Sequence, residues 1–224
     1  MQTQLQEAVQ ARIPAARLVP TRVGSVLLHL LQPDFPRAPL DPAVARAVWD
    51  SPPYWAFCWP GGGWLSHWLP QQKCPGTIVD LGCGSGILSI ALSQKGWKVW
   101  AVDSDPEARL ASACNAQANG VAFPIVSSLE QIQEPVDLLV LADFLYDPAN
   151  LAGIEELARF CPHLLLADCR LRHPPPGFQP LGEHHFRIIP DLDWGDEFTR
   201  IFVAERRPDK SAPKGVPIRP SRLS

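Results

Sequence analysis

From Thr77 onward, the chain alternates short apolar runs with amphipathic stretches. This alternation predicts parallel strands joined by crossover helices. The predicted strands are 77–81, 98–103, 122–126, 136–143 and 163–169, and the predicted helices are 87–96, 106–120 and 151–160. Two later runs, 184–192 and 197–205, predict a closing hairpin across 193–196. We therefore predict an α/β fold, a doubly wound sheet with a terminal antiparallel hairpin and a reversed edge strand.

The pattern divides the chain into three regions. Residues 1–74 lack the alternation, and we predict an N-terminal extension there with one or two helices and a Trp-Pro-Gly segment that begins at Trp59. Residues 75–204 carry the alternating core. After Ala204 the composition shifts to Pro, Ser, Lys and Arg with almost no apolar periodicity, so we predict that 205–224 is a basic, disordered tail.

Composition narrows the function classes. The 224 residues are 46% apolar with a formal charge of -3, which suits one domain and argues against a general nucleic-acid binder, although the basic tail leaves local nucleic-acid binding open. No apolar run is long enough for a membrane span and the start lacks a secretion signal, so we expect a cytoplasmic protein, with an organelle lumen as the alternative. The six cysteines include no CxxC pair, which favours reduced thiols over a zinc site or a disulfide scaffold.

A glycine-rich turn follows the first predicted strand. Gly82, Gly84 and Gly86 have the spacing GxGxG, whereas the dinucleotide-binding fingerprint is GxGxxG. Asp80 lies two residues before the first glycine, where a carboxylate would repel a pyrophosphate but would suit the amino group of a methionine-like moiety. The pattern resembles motif I of the seven-strand S-adenosylmethionine (SAM) methyltransferases, and it disfavours a nicotinamide oxidoreductase.

Acidic residues follow two further predicted strands. Asp103 ends the second strand, where a carboxylate can accept hydrogen bonds from two ribose hydroxyls. We assign the cap of the next helix to Asp105, because it directly precedes Pro106. Asp143 and Tyr146 follow the fourth strand, where the transferred methyl group would lie.

A structural alternative for Asp143 is the cap of the following helix. Asp147 precedes Pro148 and already suits that role, so we favour a functional role for Asp143. Adjacent His184 and His185 would point to opposite faces of a strand, which argues against a metal site.

Three segments together resemble one enzyme family. The segments "PYWAFCWPGG", "DLGCGSG" and "DFLYD" are similar to the protein lysine methyltransferases of the electron-transfer-flavoprotein β-subunit type, over about residues 50 to 170. The resemblance implies a Rossmann-like class I methyltransferase sheet, SAM as cofactor, a lysine-bearing protein substrate and no metal. It also implies that Trp59, Pro60 and Gly61 lie at the cofactor and that Tyr54 and Trp55 lie near the substrate channel.

The chain departs from that family after the third predicted strand. Relatives often have an acidic or asparagine-bearing segment there to hold the adenine, whereas "IVSSLEQ" offers serines and a glutamate, so the adenine contacts stay unassigned. The aromatic residues near Trp59 have a structural alternative, which is to fill the joint between the extension and the sheet. For Trp64 and Trp68, spaced by four on a predicted helix, we prefer that structural role.

The proposed chemistry has alternatives. As a lysine methyltransferase, the protein would use Asp143 to align the amine and Tyr146 to narrow the slot around it. An enzyme acting on a nucleic-acid base or a small molecule is one rival, but base-amino methyltransferases have two prolines where Phe144 and Leu145 stand. A non-catalytic SAM-binding module is a second rival, and it would not require Asp143 or Tyr146. The resemblance suggests a lysine on the electron-transfer flavoprotein β-subunit as the substrate, whereas related enzymes act on ribosomal proteins and chaperones.

Overall fold

A computed structural model describes residues 1–34, 41–145, 148–191 and 196–208. Its α-helices are α1 (Gln2–Arg12), α2 (Pro42–Asp50), α3 (Pro60–Trp68), α4 (Ile87–Gln94), α5 (Pro106–Ala118), α6 (Pro148–Ala152) and α7 (Ile154–Phe160). Its strands are β1 (Leu18–Val23), β2 (Val26–Leu31), β3 (Ile78–Leu81), β4 (Val99–Val102), β5 (Ile125–Val126), β6 (Leu138–Ala142), β7 (Leu164–Asp168), β8 (Gln179–His185) and β9 (Arg200–Arg206).

The main sheet has seven strands in the order β5-β4-β3-β6-β7-β9-β8. The strands from β5 to β7 are parallel, whereas β9 is antiparallel to both of its neighbours. The prediction of a reversed edge strand is therefore wrong in position, because the reversed strand β9 lies one place inside the edge. The strand order reverses between β3 and β6, and such a switch point is where open α/β sheets bind ligands at the carboxyl ends of their strands.

The first strand of the terminal hairpin starts earlier than predicted. Only His184 and His185 of the predicted run 184–192 belong to β8. The apolar residue Ile189 instead forms an antiparallel bridge with Cys58, with N···O distances of 2.7 and 3.0 Å. This run is therefore held by Cys58, the residue before the Trp-Pro-Gly segment, and not by the sheet. The predicted turn at 193–196 lies largely outside the described residues.

Side chains of the central strands alternate between two cores, as expected for a sheet covered on both faces. Ile78 packs with residues of α3 and α4 on one face. Its neighbour Val79 packs with residues of α7 on the other face. The continuous apolar runs that predicted these strands reflect burial on both sides.

The N-terminal extension contains an antiparallel hairpin that the sequence analysis did not predict. Strands β1 and β2 pair from Leu18↔Leu31 to Val23↔Val26, and the extension has three α-helices where one or two were expected. Buried β2 side chains pack on α4 and α5. Two side chains at the end of α5 accept hydrogen bonds from the β2 backbone, each at 2.8 Å. Asn115 of the helix accepts from His29, and Asn119, directly after the helix, accepts from Leu27.

The last strand runs beyond the predicted core boundary. Glu205 and Arg206, which were predicted to begin the tail, pair with Leu165 and Leu164 of β7. Arg206 also forms an ion pair of 2.7 Å with Glu155. Residues 209–224 lie outside the described part of the chain. Within that described part, none of the helices combines the length and the apolar character needed to cross a bilayer.

Candidate active site

A cavity of about 510 Å³ lies at the switch point of the sheet. Its wall comes from the loops after β3, β4, β5, β6 and β7 and from the segment before α3. Gly82, Gly84, Asp103 and Asp143, four residues singled out from the sequence, line it together. Parallel strands end at one edge of a sheet, which is why residues distant in sequence meet there.

The glycines of this turn have two different surroundings, since Gly84 lines the cavity and Gly86 packs against a helix. Gly84 has φ +50° and its N–H donates to Asp103 at 2.9 Å. Gly86 has φ +80°, and a Cβ atom there would lie 2.5 Å from the Ser112 hydroxyl on α5. Gly86 therefore allows α4 and α5 to approach closely, and it does not line the cavity although a cofactor contact was predicted.

Asp80 caps the helix that follows the turn. Asp80 is only 2% exposed. Its Oδ2 accepts hydrogen bonds from the backbone N–H of Ser89 at 3.2 Å and from the Ser89 hydroxyl at 2.7 Å. Burial raises the pKa of Asp80 to about 6, although both Ser89 bonds act to lower it. Since Gly86 has no side chain with which to cap α4, the strand supplies the acceptor. Asp80 also reaches the cavity wall.

Asp103 is positioned by two backbone donors. Oδ2 accepts from Gly84 at 2.9 Å and Oδ1 accepts from Asp105 at 3.0 Å. Each carboxylate oxygen has a further lone pair, so Asp103 can accept additional bonds from a ligand. Burial raises its pKa, while the bonds from Gly84 and Asp105 lower it. The predicted capping role of Asp105 is confirmed, because its side chain accepts from the N–H of Glu107 at 2.8 Å.

Asp143 joins the end of β6 to the start of α3. Its Oδ2 accepts a hydrogen bond of 3.0 Å from the N–H of Gly62. Its Oδ1 is shielded from solvent and has no hydrogen-bond partner among the described residues. The backbone has φ +50°, an uncommon conformation for a non-glycine residue and one that occurs often at functional sites. Burial, followed by the charge of Asp168, raises the pKa of Asp143 to about 7.

The first turn of α3 explains the Trp-Pro-Gly segment. Trp59 lines the cavity, and its indole N–H donates to the Tyr54 carbonyl at 2.9 Å. Pro60 and Gly61, which were predicted to contact the cofactor, are buried and do not line the cavity. A Cβ atom on Gly61 would lie 2.2 Å from the Ala167 carbonyl oxygen, so Gly61 is needed for close approach to β7.

The two residues predicted at the substrate channel differ in exposure. Tyr54 lines the cavity and is 39% exposed. Trp55 also reaches the cavity but is 1% exposed, and its indole N–H donates to Glu107 at 3.2 Å. Trp55 is therefore mainly a core residue. Trp64 and Trp68 stack on each other with ring centroids 5.2 Å apart, in line with the structural role preferred for them.

Two charged residues were not predicted as part of the site: Arg170, which lines the cavity, and Asp168, which does not. Asp168 at the end of β7 is fully buried and accepts from the N–H groups of Leu145 at 2.8 Å and Arg170 at 2.7 Å. The guanidinium of Arg170 lies 5.6 Å from the ring centroid of Trp59 and lines the cavity. The signal for Asp168 was present, since it is a third acid at the carboxyl end of a predicted strand.

The remaining wall comes from the loop after β5. Ser127, Ser128, Leu129 and Glu130 line the cavity, at the segment for which the sequence analysis assigned no adenine contacts. Phe57 and Phe144 add apolar surface. The predicted site residue Tyr146 and the predicted cap Asp147 lie outside the described residues.

Comparison with known proteins shows that this chain is similar to methyltransferases. Residues 64–153 match the family model described as ribosomal protein L11 methyltransferase (PrmA). The chain is 39% identical over 126 residues to the electron transfer flavoprotein beta subunit lysine methyltransferase of Rattus norvegicus, covering 53% of this chain and 46% of that protein. It is 40% identical over 114 residues to the ribosomal protein L11 methyltransferase of Actinobacillus succinogenes, covering 49% of this chain and 36% of that protein.

The similarity is partial in length but supports the predicted resemblance and fold. The chain spans less than half the length of each of these two relatives. Among solved structures, Trm5b from Pyrococcus abyssi has a TM-score of 0.52 at 15% identity, covering 86% of this chain and 56% of that chain. The predicted resemblance to protein lysine methyltransferases and the predicted Rossmann-like methyltransferase sheet are both confirmed.

Proposed function

We propose that this protein binds SAM and transfers its methyl group to lysine side chains of a protein substrate. The observation that carries the proposal is the state of Asp143, whose Oδ2 is held by Gly62 while the shielded Oδ1 has no partner among the described residues. A buried acceptor without a partner is costly unless a ligand completes it. The names of the relatives in both groups specify protein substrates, which supports a protein over a nucleic acid.

The cavity suits SAM in size and in chemistry. A volume of about 510 Å³ lies within the usual range for small-molecule sites. A Cβ atom on Gly84 would meet no atom closer than 4.0 Å apart from its chain neighbours, so the backbone there is open to a ligand. We assign the ribose hydroxyls to Asp103 and the methionine portion to the turn at Gly82 and Gly84. When bound, SAM supplies an electrophilic methyl group on a sulfonium.

The protein's own residues orient the amine and exclude water from it. A lysine amine has a pKa of about 10.4 in water and attacks only after it loses its proton. The aromatic wall, which includes Trp59 and Phe144, lowers that pKa by desolvation. Asp143 acts in the opposite sense because a carboxylate favours the charged amine. We therefore assign Asp143 to alignment of the amine, with the proton leaving to water, and Tyr146 to the wall of the slot.

The substrate proposal has two candidates, both of them proteins. We propose a lysine on the electron transfer flavoprotein β-subunit first, because the segments "PYWAFCWPGG" and "DFLYD" resemble that family. Ribosomal protein L11 is the second candidate, since residues 64–153 match the L11 methyltransferase family model. Methylation of a nucleic-acid base is disfavoured because Phe144 and Leu145 stand where such enzymes have two prolines.

The cofactor assignment predicts that Asp103→Ala weakens SAM binding. Hydrogen bonds to a charged group contribute roughly 1.5–3 kcal/mol, which corresponds to about a 10- to 100-fold change in Kd. Titration calorimetry measures the change. Asp41→Ala is the matched control, since it removes an exposed aspartate that also accepts one backbone hydrogen bond but does not line the cavity. Equal SAM affinity of folded Asp103→Ala and wild type would contradict the assignment.

Methyl transfer is tested with labelled SAM and the two candidate proteins in parallel. We expect mass spectrometry to find methyl groups on lysine in one of them and none in a reaction without enzyme. A whole-cell lysate extends the same assay to other proteins. Label in nucleic acid with none in protein would overturn the proposed substrate class while leaving the SAM assignment intact.

A further inference from the structure

The charges around the cavity are strongly unequal. Among the described residues that line it, five carry carboxylates and a single one carries a permanent cation. The carboxylates belong to Asp80, Asp103, Asp105, Glu130 and Asp143. The cation is Arg170. A ligand with a negative group therefore meets repulsion along most of this wall and attraction only near Arg170.

Arg170 is held by contacts that leave its hydrogen-bond donors available. The guanidinium carbon Cζ lies 5.6 Å from the ring centroid of Trp59 and 5.4 Å from that of Phe198, both within range for cation–π interactions. The backbone N–H of Arg170 donates to Asp168, which fixes the base of the side chain. In the described part of the chain, the guanidinium forms no hydrogen bond or ion pair with another side chain. Ring contacts hold the guanidinium but do not use its five N–H donors.

We infer that Arg170 binds the carboxylate of the methionine moiety of SAM, an inference that rests on the proposed function. A planar guanidinium can donate two parallel hydrogen bonds to a carboxylate, which a lysine cannot match. The amino and sulfonium groups of the same ligand are cationic and suit the acidic remainder of the wall. The arrangement of charges around the cavity thus matches a ligand with one anionic end.

The same contact affects the lysine that must reach Asp143. The charge of Arg170 is felt at Asp143, where it lowers the pKa of that carboxyl against the larger effect of burial. A free guanidinium in this position also repels an incoming ammonium group. A carboxylate bound to Arg170 neutralises that charge, so SAM would prepare the site for its cationic substrate. Arg170 is therefore assigned to cofactor binding, with a secondary effect on substrate order.

The test compares SAM with decarboxylated SAM, which lacks only the carboxylate. Calorimetry gives Kd for both ligands with wild type, Arg170→Gln and Arg170→Lys. We expect Arg170→Gln to weaken SAM binding at least about tenfold, a fold-change that corresponds to 1.4 kcal/mol, and to change binding of decarboxylated SAM less than about twofold. Arg170→Lys keeps the charge without the planar donors, so its Kd for SAM should lie between those of wild type and Arg170→Gln.

Arg172→Gln is the matched control. Arg172 is exposed, belongs to the same segment and does not line the cavity, so its replacement removes an equal charge and should leave both Kd values unchanged. Because the ratio of the two Kd values is compared within one variant, a partly unfolded sample does not alter the conclusion.

If the ratio of the Kd for SAM to the Kd for decarboxylated SAM is the same in wild type and Arg170→Gln, the inference is wrong. It is also wrong if Arg170→Gln changes only the KM of the protein substrate, because that result would assign Arg170 to an acidic residue of the substrate. If wild type binds neither ligand, the proposed function itself fails. The two failures are therefore distinguishable.

Discussion

Asp143 has one structural contact in the fold, beside the chemical role that we propose for it. The sequence analysis treated a helix cap and a functional role as alternatives for Asp143. It favoured the functional role because Asp147 already suited the cap of the next helix. In the structure, Asp143 bonds the first turn of a different helix, α3, through Oδ2. Its second oxygen, Oδ1, has no hydrogen-bond partner among the described residues. The choice between a cap and a functional group was therefore too narrow, since one oxygen of the carboxylate can bond a helix while the other is left for a ligand.

The raised pKa of Asp143 predicts that Asp143→Asn stabilises the protein at high pH. Burial raises this pKa from 3.8 to about 7, so the native state holds a proton that the unfolded chain has released over that interval. The associated stability is complete below pH 4 and is lost as pH rises through 7. One pKa unit corresponds to about 1.4 kcal/mol, so we expect the variant to gain at least about 1 kcal/mol at pH 8.

Urea unfolding at pH 4 and pH 8 measures this gain, and the lower pH serves as the internal control. The difference in unfolding free energy between Asp143→Asn and wild type should be larger at pH 8. A difference that stays constant between the two pH values would show that the carboxyl titrates normally.

The same variant should lose methyl transfer. Asn keeps the shape and one acceptor but removes the charge that aligns a lysine, so transfer at saturating SAM should fall steeply while SAM affinity falls much less. The measurement is methyl incorporation into a confirmed substrate, beside SAM calorimetry. Transfer at the wild-type rate would leave Asp143 with only its structural bond to α3.

Reasoning from the ends of strands selected residues that the structure brings close together, but it was not applied to every strand. Asp103, Asp105 and the glycine turn followed from their position at strand ends, and the structure brings Asp103 and Gly84 within 2.9 Å. Asp168 also lies near the end of a predicted strand, 163–169, but the rule was not applied to that strand. Arg170 could not have been predicted, since its contact with Trp59 joins residues far apart in sequence.

At the scale of elements, the first turn of α3 has a strict requirement at one glycine and not at the next. A Cβ atom on Gly61 would lie 2.2 Å from the Ala167 carbonyl and 2.9 Å from Asp143. On Gly62, the nearest atom would be Ile87 Cγ2 at 3.4 Å, an ordinary contact. Neither glycine has positive φ, so the comparison reports on space alone.

We therefore predict opposite effects for two neighbouring substitutions. Gly61→Ala should destabilise the protein by roughly 1–3 kcal/mol, the usual cost of overpacking. Gly62→Ala should be neutral or stabilising by up to about 1 kcal/mol, because alanine favours the helix. Denaturant midpoints measure both, and Gly62→Ala is the control. A Gly61→Ala variant as stable as wild type would mean that α3 can move away from β7 without cost.

The strands were predictable where short apolar runs alternate with helices along the chain. They were not predictable where contacts between residues distant in sequence determine the structure. Apolar runs identified the parallel strands because those strands are buried on both faces. The hairpin of β1 and β2 was missed although β2 is also an apolar run, because it lies before the alternating region from which the sheet was predicted. Likewise, the apolar run around Ile189 was predicted as a strand, but it pairs with Cys58 outside the sheet.

At the scale of the whole molecule, the C-terminal boundary can be tested by truncation. Glu205 and Arg206 pair with β7, and their side chains contact His163 and Glu155 at 2.7 Å each. Deleting 205–224 should therefore lower Tm by at least about 3 °C, given roughly 2–4 °C per kcal/mol for a domain of this size. Deleting only 209–224 should leave Tm nearly unchanged, because that segment has little apolar surface.

Calorimetric or fluorescence melting distinguishes the two truncations. The shorter deletion is the control for the longer one, as both remove the basic residues that follow Pro208. A large loss of Tm on deleting 209–224 would contradict the predicted dispensable tail, and equal Tm for both deletions would mean that the end of β9 contributes nothing.

The position of β9 inside the sheet has a consequence for synthesis on the ribosome. Strand β8 is made first, yet its partner in the sheet is β9, which starts 15 residues after His185, at Arg200. At roughly 5–20 residues per second, a nascent chain would carry β7 and β8 without that partner for about one to three seconds before β9 is even made. During that interval the unpaired edge of β7 would be open to other chains. Nearly the whole core must therefore be synthesised before β9 can pair with β7 and β8.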